Sequence, residues 1–172
     1  MRNLLLTAHI VTSVGFLGAV GCFLALAIAG LNDSDPLVLR SLYLVLDKLT
    51  WLVVVPLSFT SLATGILSAL CTPWGLMRHY WVLAKLLLTL LSTWVLMLHT
   101  RPIGYMAWAA ARQSVAGPEF DGRRLQLVIA SSAALAVLLA ATFLSIYKPK
   151  GLTRYGWRKT RIAADSSSSA QW

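Results

Sequence analysis

"HYWVLAKLLLTLLSTWVLMLH", His79–His99, decides the fold. Between its two histidines Lys85 is the sole charged residue. As a helix rising 1.5 Å per residue, that interval spans roughly 28 Å. A bilayer's hydrocarbon core is about 30 Å thick, so the stretch reads as a membrane-crossing helix. The same stretch carries a lysine where hydrocarbon should begin. Either the stem lies in lipid and the ammonium reaches back to headgroups, or the side chain turns into the protein.

Three further apolar runs have the same character. They cover about 4–31, 49–70 and 125–147, with 80–98 as the third of the four. The chain has 172 residues, 58% hydrophobic and 12% charged, a balance few soluble domains show. Backbone polar groups cannot stay unpaired in lipid, so each run should be helical. The alternation that marks a membrane barrel strand is absent. The expected fold is therefore all-α: a polytopic membrane protein, an antiparallel bundle of four transmembrane helices over 1–147. A basic, partly disordered tail follows over 148–172.

The formal charge of +9 is unevenly placed. Lys148, Lys150, Arg154, Arg158, Lys159 and Arg161 follow the fourth run closely. That is the positive-inside pattern and a site of contact with anionic lipid headgroups. No recognition motif accompanies the charge, so nucleic acid is not an expected partner. With Arg2 and Arg78, the tail side carries eight cations. Arg40, Lys48, Arg101, Arg112, Arg123 and Arg124 give the other side six. Both termini are expected to be cytoplasmic. Arg2 and Ala25-Leu26-Ala27 resemble a signal peptide, but the apolar run exceeds the usual ~7–15 residues, so the first run is read as an uncleaved helix.

The connections carry their own signals. Asn32-Asp33-Ser34-Asp35-Pro36 is turn chemistry. Leu37 to Leu46 forms either an interfacial helix or an extension of span two. Pro73 and Gly75 make a tight link that sets spans two and three antiparallel. Thr100 to Arg124 is expected to be the longest connection, with "GYMAWAAARQSV" lying along the interface. Gly15, Gly18, Ala19 and Gly21, and likewise Thr50, Ser58, Ser61, Gly65 and Ser68, mark close helix approach. Pro56 should disturb span two. Such a bundle either packs without a cavity or holds a ligand pocket. Cys22 and Cys71 fall at opposite faces and read as packing residues, not a disulfide or metal site.

Ionisable groups at membrane depth are uncommon and often functional. His9 and Lys85 each lie about five residues inside their spans, roughly 7–8 Å below the same interface. His79 and Tyr80 open span three on that side. His99 ends span three at the other face, with Asp47 and Lys48 expected nearby. His9 either bonds a neighbouring hydroxyl or serves as a ligand; histidine is a common axial ligand of haem iron. An inward Lys85 would have no carboxylate in the spans to pair with. It would be neutral, be solvated, or bind an acid such as a propionate or phosphate. The methionines form no copper cluster, and no paired carboxylates, activated nucleophile or phosphate loop is present.

"LLTAHIVTSVGFLGAVGCFLALAIAGL", "TPWGLMRHYWVLAKLLLTLL" and "LSIYKPKGLTRYGWRK" resemble a bacterial family of small four-helix integral membrane proteins, a domain of unknown function. The resemblance covers nearly the whole chain. More distantly, the chain is similar to the superfamily of the copper-resistance protein D membrane domain and the HemJ-type protoporphyrinogen oxidase. There, an early first-helix histidine and an early lysine of a later helix are associated with haem and porphyrin chemistry. The resemblance implies His9 and Lys85, with His79 beside them, as a candidate haem or porphyrin site, and haem b as candidate cofactor. The closer family has a histidine near the start of its last span, where this chain has Ala130, Ser131 and Ser132. That implies five-coordinate haem or none.

The sequence leaves three functions open. The first is an inner-membrane accessory or structural protein with a membrane-protein partner and no chemistry. The second is a haem- or porphyrin-binding redox protein. The third is a transport helper for a metal or small anion.

Overall fold

The computed structural model describes residues 2–70, 80–112 and 115–147. Cys71, Pro73, Gly75, Arg78, His79 and the 148–172 tail lie outside the described residues. Those described are almost wholly helical. Helix α1 (Arg2–Asn32) is apolar on all sides. A three-residue link then reverses the chain, and Asp35 caps the next helix by accepting a hydrogen bond from the Leu37 N–H, with Pro36 in the first turn. Helix α2 (Pro36–Leu49) runs without a break through one π-helical turn (Thr50–Val54) into α3 (Val55–Leu70). Helix α4 covers Tyr80–Arg112. A 3-10 turn at Pro118–Phe120 leads into α5 (Asp121–Tyr147). Four rods, Asn3–Asn32, Pro36–Leu70, Val82–Arg112 and Pro118–Tyr147, are long and apolar enough to cross a membrane.

The π turn has a local cause. Pro56 has no N–H to give to the carbonyl four residues back. Just before it the helix widens, and the Val55 N–H bonds to Thr50 O, five residues back. The Thr50 hydroxyl, fully buried, donates to Leu46 O at 2.8 Å. The disturbance expected at Pro56 is thus absorbed as a wide turn within a continuous rod.

Rods neighbouring in sequence also pack in space. Helix α1 lies against α3 and α5, with α2 beside it, and α4 lies against α2, α5 and α3. This sets α1 and α4 on opposite corners of an up-down bundle. The end holding the start of α1, the end of α3, the start of α4 and the end of α5 is called the near end.

Two apolar clusters make up the rest, with a cleft of about 510 Å³ lined by Phe16, Val20, Val54, Ile103, Leu127 and Leu138. At the far end Phe23 and Ala27 meet Leu39, Tyr43 and Leu46 of α2, Ile103, Met106 and Ala110 of α4, and Leu127 of α5. In the middle Phe16, Ala19 and Val20 meet Val54 and Leu138. Neither cluster reaches the near end.

The far end decides one open alternative of the sequence and corrects one expectation. Leu37–Leu46 lengthens span two rather than forming a separate interfacial helix. The connection expected over 100–124 is helical to Arg112, so "GYMAWAAAR" extends α4 instead of lying along the interface. The cause is one packing contact. Leu39, Tyr43 and Leu46 make an i, i+4, i+7 stripe on α2 that meets the Ile103–Ala110 face of α4. Pro102 costs α4 one backbone bond without ending it. At 33 residues α4 is about 50 Å long, beyond the ~30 Å of hydrocarbon, so the extra turns form a folded cap. Arg124, 4% exposed, ties the cap together by donating from Nη2 to Val115 O and lies 3.7 Å from the Asp121 carboxylate.

Candidate functional site

The near end replaces an apolar core with polar groups on all four rods. His9 and Ser13 sit one turn apart on α1. Ser61, Thr64, Gly65 and Ser68 lie on the facing side of α3, Lys85 and Thr89 on α4, and Thr142 and Ser145 on α5. Antiparallel connectivity brings the beginnings of α1 and α4 level with the ends of α3 and α5.

The α1–α3 seam is hydroxyl-rich. Ser13 and Ser61 share a hydrogen bond at 2.9 Å, Thr12 and Thr64 lie 3.3 Å apart, and the Ser68 hydroxyl donates to Leu5 O at 3.3 Å. Small hydroxyl residues permit this approach and bond across it. Gly65 is required by the imidazole. A Cβ there would lie 3.0 Å from His9 Cε1 and 3.4 Å from Nδ1.

Hydrogen-bond bookkeeping assigns the tautomer of His9. The Thr64 hydroxyl gives its proton to Thr60 O at 2.7 Å, so its oxygen is left to accept. With His9 Nδ1 as donor, its contacts to Thr64 Oγ1 at 3.3 Å and Ser13 Oγ at 3.5 Å both find an acceptor. Nε2 is left as an acceptor, and Lys85 Nζ stands 3.4 Å from it. Lys85 Nζ also donates to Ser145 Oγ at 3.2 Å. Lys85 therefore crosses the bundle diagonal and turns inward, not out to headgroups. Its partners are neutral. Among the described residues no carboxylate pairs with it. Asp47, the described acid furthest inside a rod, is eighteen residues from Gly65 along the same rod, about 27 Å.

The residues surround a cleft of about 560 Å³. His9, Ser13, Ser61, Ser68, Lys85, Thr89, Thr142 and Ser145 supply its polar wall; Leu6, Ile10, Val14, Leu62, Val82, Leu86 and Ile146 supply the apolar one. That volume falls in the ~300–1,000 Å³ range of pockets that enclose drug-sized ligands. The alternative of packing without a cavity is not what this end of the bundle adopts.

The structure joins His9 and Lys85, the two polar residues singled out at membrane depth. His79 lies outside the described residues. His99 is at the far end, its Nδ1 2.9 Å from Val95 O on its own helix, and it cannot share a ligand with His9. Thr64 and Ser145, which orient the pair, went unnoticed in the sequence. Hydroxyls in helices mostly bond their own i−4 carbonyl, so nothing local sets these two apart. No group of three His, Cys, Asp or Glu side chains capable of holding a metal gathers among the described residues. Cys22 is a free, exposed thiol.

As a haem ligand set, the described residues of this site would offer one histidine, His9. Thr64 holds His9 Nδ1 and leaves Nε2 on the side of Lys85, so Nε2 is the nitrogen by which His9 would hold iron were haem bound. Comparison of the chain with protein families, curated proteins and solved structures finds no match.

Proposed function

We propose that this chain is a membrane-embedded binding protein whose ligand presents an acidic group to Lys85. One observation carries the reading: an inward lysine, bonded to the neutral groups His9 Nε2 and Ser145 Oγ, beside a cleft far larger than either. A buried cation without a counter-ion is expensive in hydrocarbon, and an anionic ligand removes that cost. The Lys85 ammonium is the electrostatic anchor; His9 and Ser145 hold the amine in place, and the hydroxyls of Ser61, Ser68 and Thr142 offer further hydrogen bonds. The role this set supports is to hold a ligand or pass it to a membrane-protein partner. The protein sits in a bacterial inner membrane with both termini cytoplasmic, a placement supported by the tail cations, which also meet anionic lipid headgroups.

Equilibrium dialysis of labelled 1-naphthoate against detergent-purified protein tests the reading. Saturable binding should weaken at least tenfold in Lys85→Met. Equal binding by both proteins contradicts it.

The tautomer of His9 favours a second reading. With Nδ1 tied to Thr64, Nε2 is the ring nitrogen left for iron, and Lys85 is the group for a propionate. Bound haem would supply one-electron chemistry. A red purified protein whose Soret band disappears in His9→Ala supports this reading; a colourless one after haem supplementation contradicts it.

A further inference from the structure

We infer that the ligand of this cleft is an acidic amphiphile that enters sideways from the bilayer, between α1 and α5, rather than a small anion arriving from water. This rests on the reading of Lys85 as the acid-binding group. The mouth carries the argument. Ile10 and Val14 of α1 and Ile146 of α5 all line the cleft, yet they are 55%, 63% and 69% exposed. In a bundle surrounded by lipid these side chains face acyl chains. The cleft therefore opens through an apolar rim toward hydrocarbon, while Lys85 reaches across from α4 to set its amine behind that rim, beside His9 and Ser145.

The two walls match the two halves of one molecule. Lys85, Ser145 and His9 mark the polar pole. Leu6, Ile10, Val14, Leu17 and Ile146 mark a surface that matches an apolar body by close packing. Volume points the same way. At about 560 Å³ the cleft offers much more space than a small inorganic anion fills. The depth of Lys85, roughly 7–8 Å below the interface, suits an acid group drawn slightly below the headgroup level. The acid is a carboxylate, as in a fatty acid, or a phosphate monoester, as in phosphatidate; both offer the same charge-assisted bonds to an ammonium.

Native mass spectrometry of the full chain in detergent, titrated separately with oleate, dioleoylphosphatidate, oleyl alcohol and 1-naphthoate, tests this. At least one of oleate and dioleoylphosphatidate should bind ten times more tightly than naphthoate, and which one does names the headgroup. Val14→Trp, with Ile10→Trp as a second plug, should weaken that binding at least tenfold and weaken naphthoate by a smaller factor. Lys85→Met should weaken both. If the plugged mouths bind the amphiphile as the wild type does, or naphthoate binds as tightly as either amphiphile, the lateral route is wrong while the Lys85 reading survives. If oleyl alcohol matches oleate, or Lys85→Met changes nothing, the Lys85 reading itself fails.

Discussion

Gly65→Ala should destabilise this protein although alanine is the better helix former. The added Cβ would lie 3.0 Å from His9 Cε1 and 3.4 Å from Nδ1. The ring must move by a few tenths of an ångström. On one side Thr64 holds it at 3.3 Å, and at Nε2 it meets Lys85 at 3.4 Å. Both bonds are already near the outer limit, so the displacement strains or breaks them. Overfilling a packed site costs about 1–3 kcal/mol. Two interhelical hydrogen bonds inside a membrane add ~0.6 kcal/mol each. Replacing a helical glycine returns up to about 1 kcal/mol. The net expectation is a loss of ~1–3 kcal/mol. Gly18 and Gly21 provide the control, since a Cβ at either meets nothing within 4 Å. Gly18→Ala and Gly21→Ala should be neutral or stabilising by up to ~1 kcal/mol. The assay is reversible unfolding in mixed micelles, followed by circular dichroism. In a His9→Ala background the Gly65→Ala penalty should largely vanish, because no ring remains to displace. A Gly65→Ala protein as stable as Gly18→Ala, or a penalty unchanged without His9, would refute the packing argument.

Other positions give independent tests. A double-mutant cycle on Ser13→Ala and Ser61→Ala should yield a coupling of about 0.6 kcal/mol, with ~1.7 kcal/mol as a ceiling; zero coupling would mean the 2.9 Å contact does not form. Arg124→Ala should cost about 1.5–3 kcal/mol of unfolding free energy, because a charged donor to Val115 O is lost from a buried position. A cost below ~0.5 kcal/mol would show that the cap does not depend on it. Tyr43→Phe should be neutral or stabilising by about 1 kcal/mol in the same assay, since the buried Tyr43 hydroxyl has no hydrogen-bond partner among the described residues. A loss above ~1 kcal/mol would reveal a bound water or other partner at that oxygen.

The four spans were legible because their apolar length is set by the bilayer itself. The far ends of α2 and α4 were not, because outside hydrocarbon a helix is held by its neighbour. The stripe Leu39, Tyr43, Leu46 has meaning only against Ile103 and Met106, sixty residues on. The sequence suggests a connection from Thr100 onward, where that contact sustains a helix. At the near end, depth along the spans placed His9 and Lys85 on one level. It did not give the direction of Lys85, whose stem reaches headgroups as easily as the interior. The partner that decides the matter, His9 Nε2, lies on the opposite corner of the bundle and is visible only once the rods are arranged. Thr64 and Ser145 are in the same position: ordinary helical hydroxyls in sequence, and the groups that orient the pair in three dimensions.

The most direct test of the account is the position of one nitrogen. Solid-state NMR on protein with ¹⁵N-labelled lysine and ¹³C-labelled histidine, in phosphatidylcholine bilayers, measures Lys85 Nζ against the His9 ring and against lipid ³¹P. Lys85→Arg and His9→Gln supply the assignments. The account predicts strong dipolar coupling between Nζ and the imidazole, consistent with 3.4 Å to Nε2, and no dephasing by phosphorus. Dephasing of Nζ by lipid phosphorus, with no coupling to His9, would place the amine among headgroups and contradict the inward site.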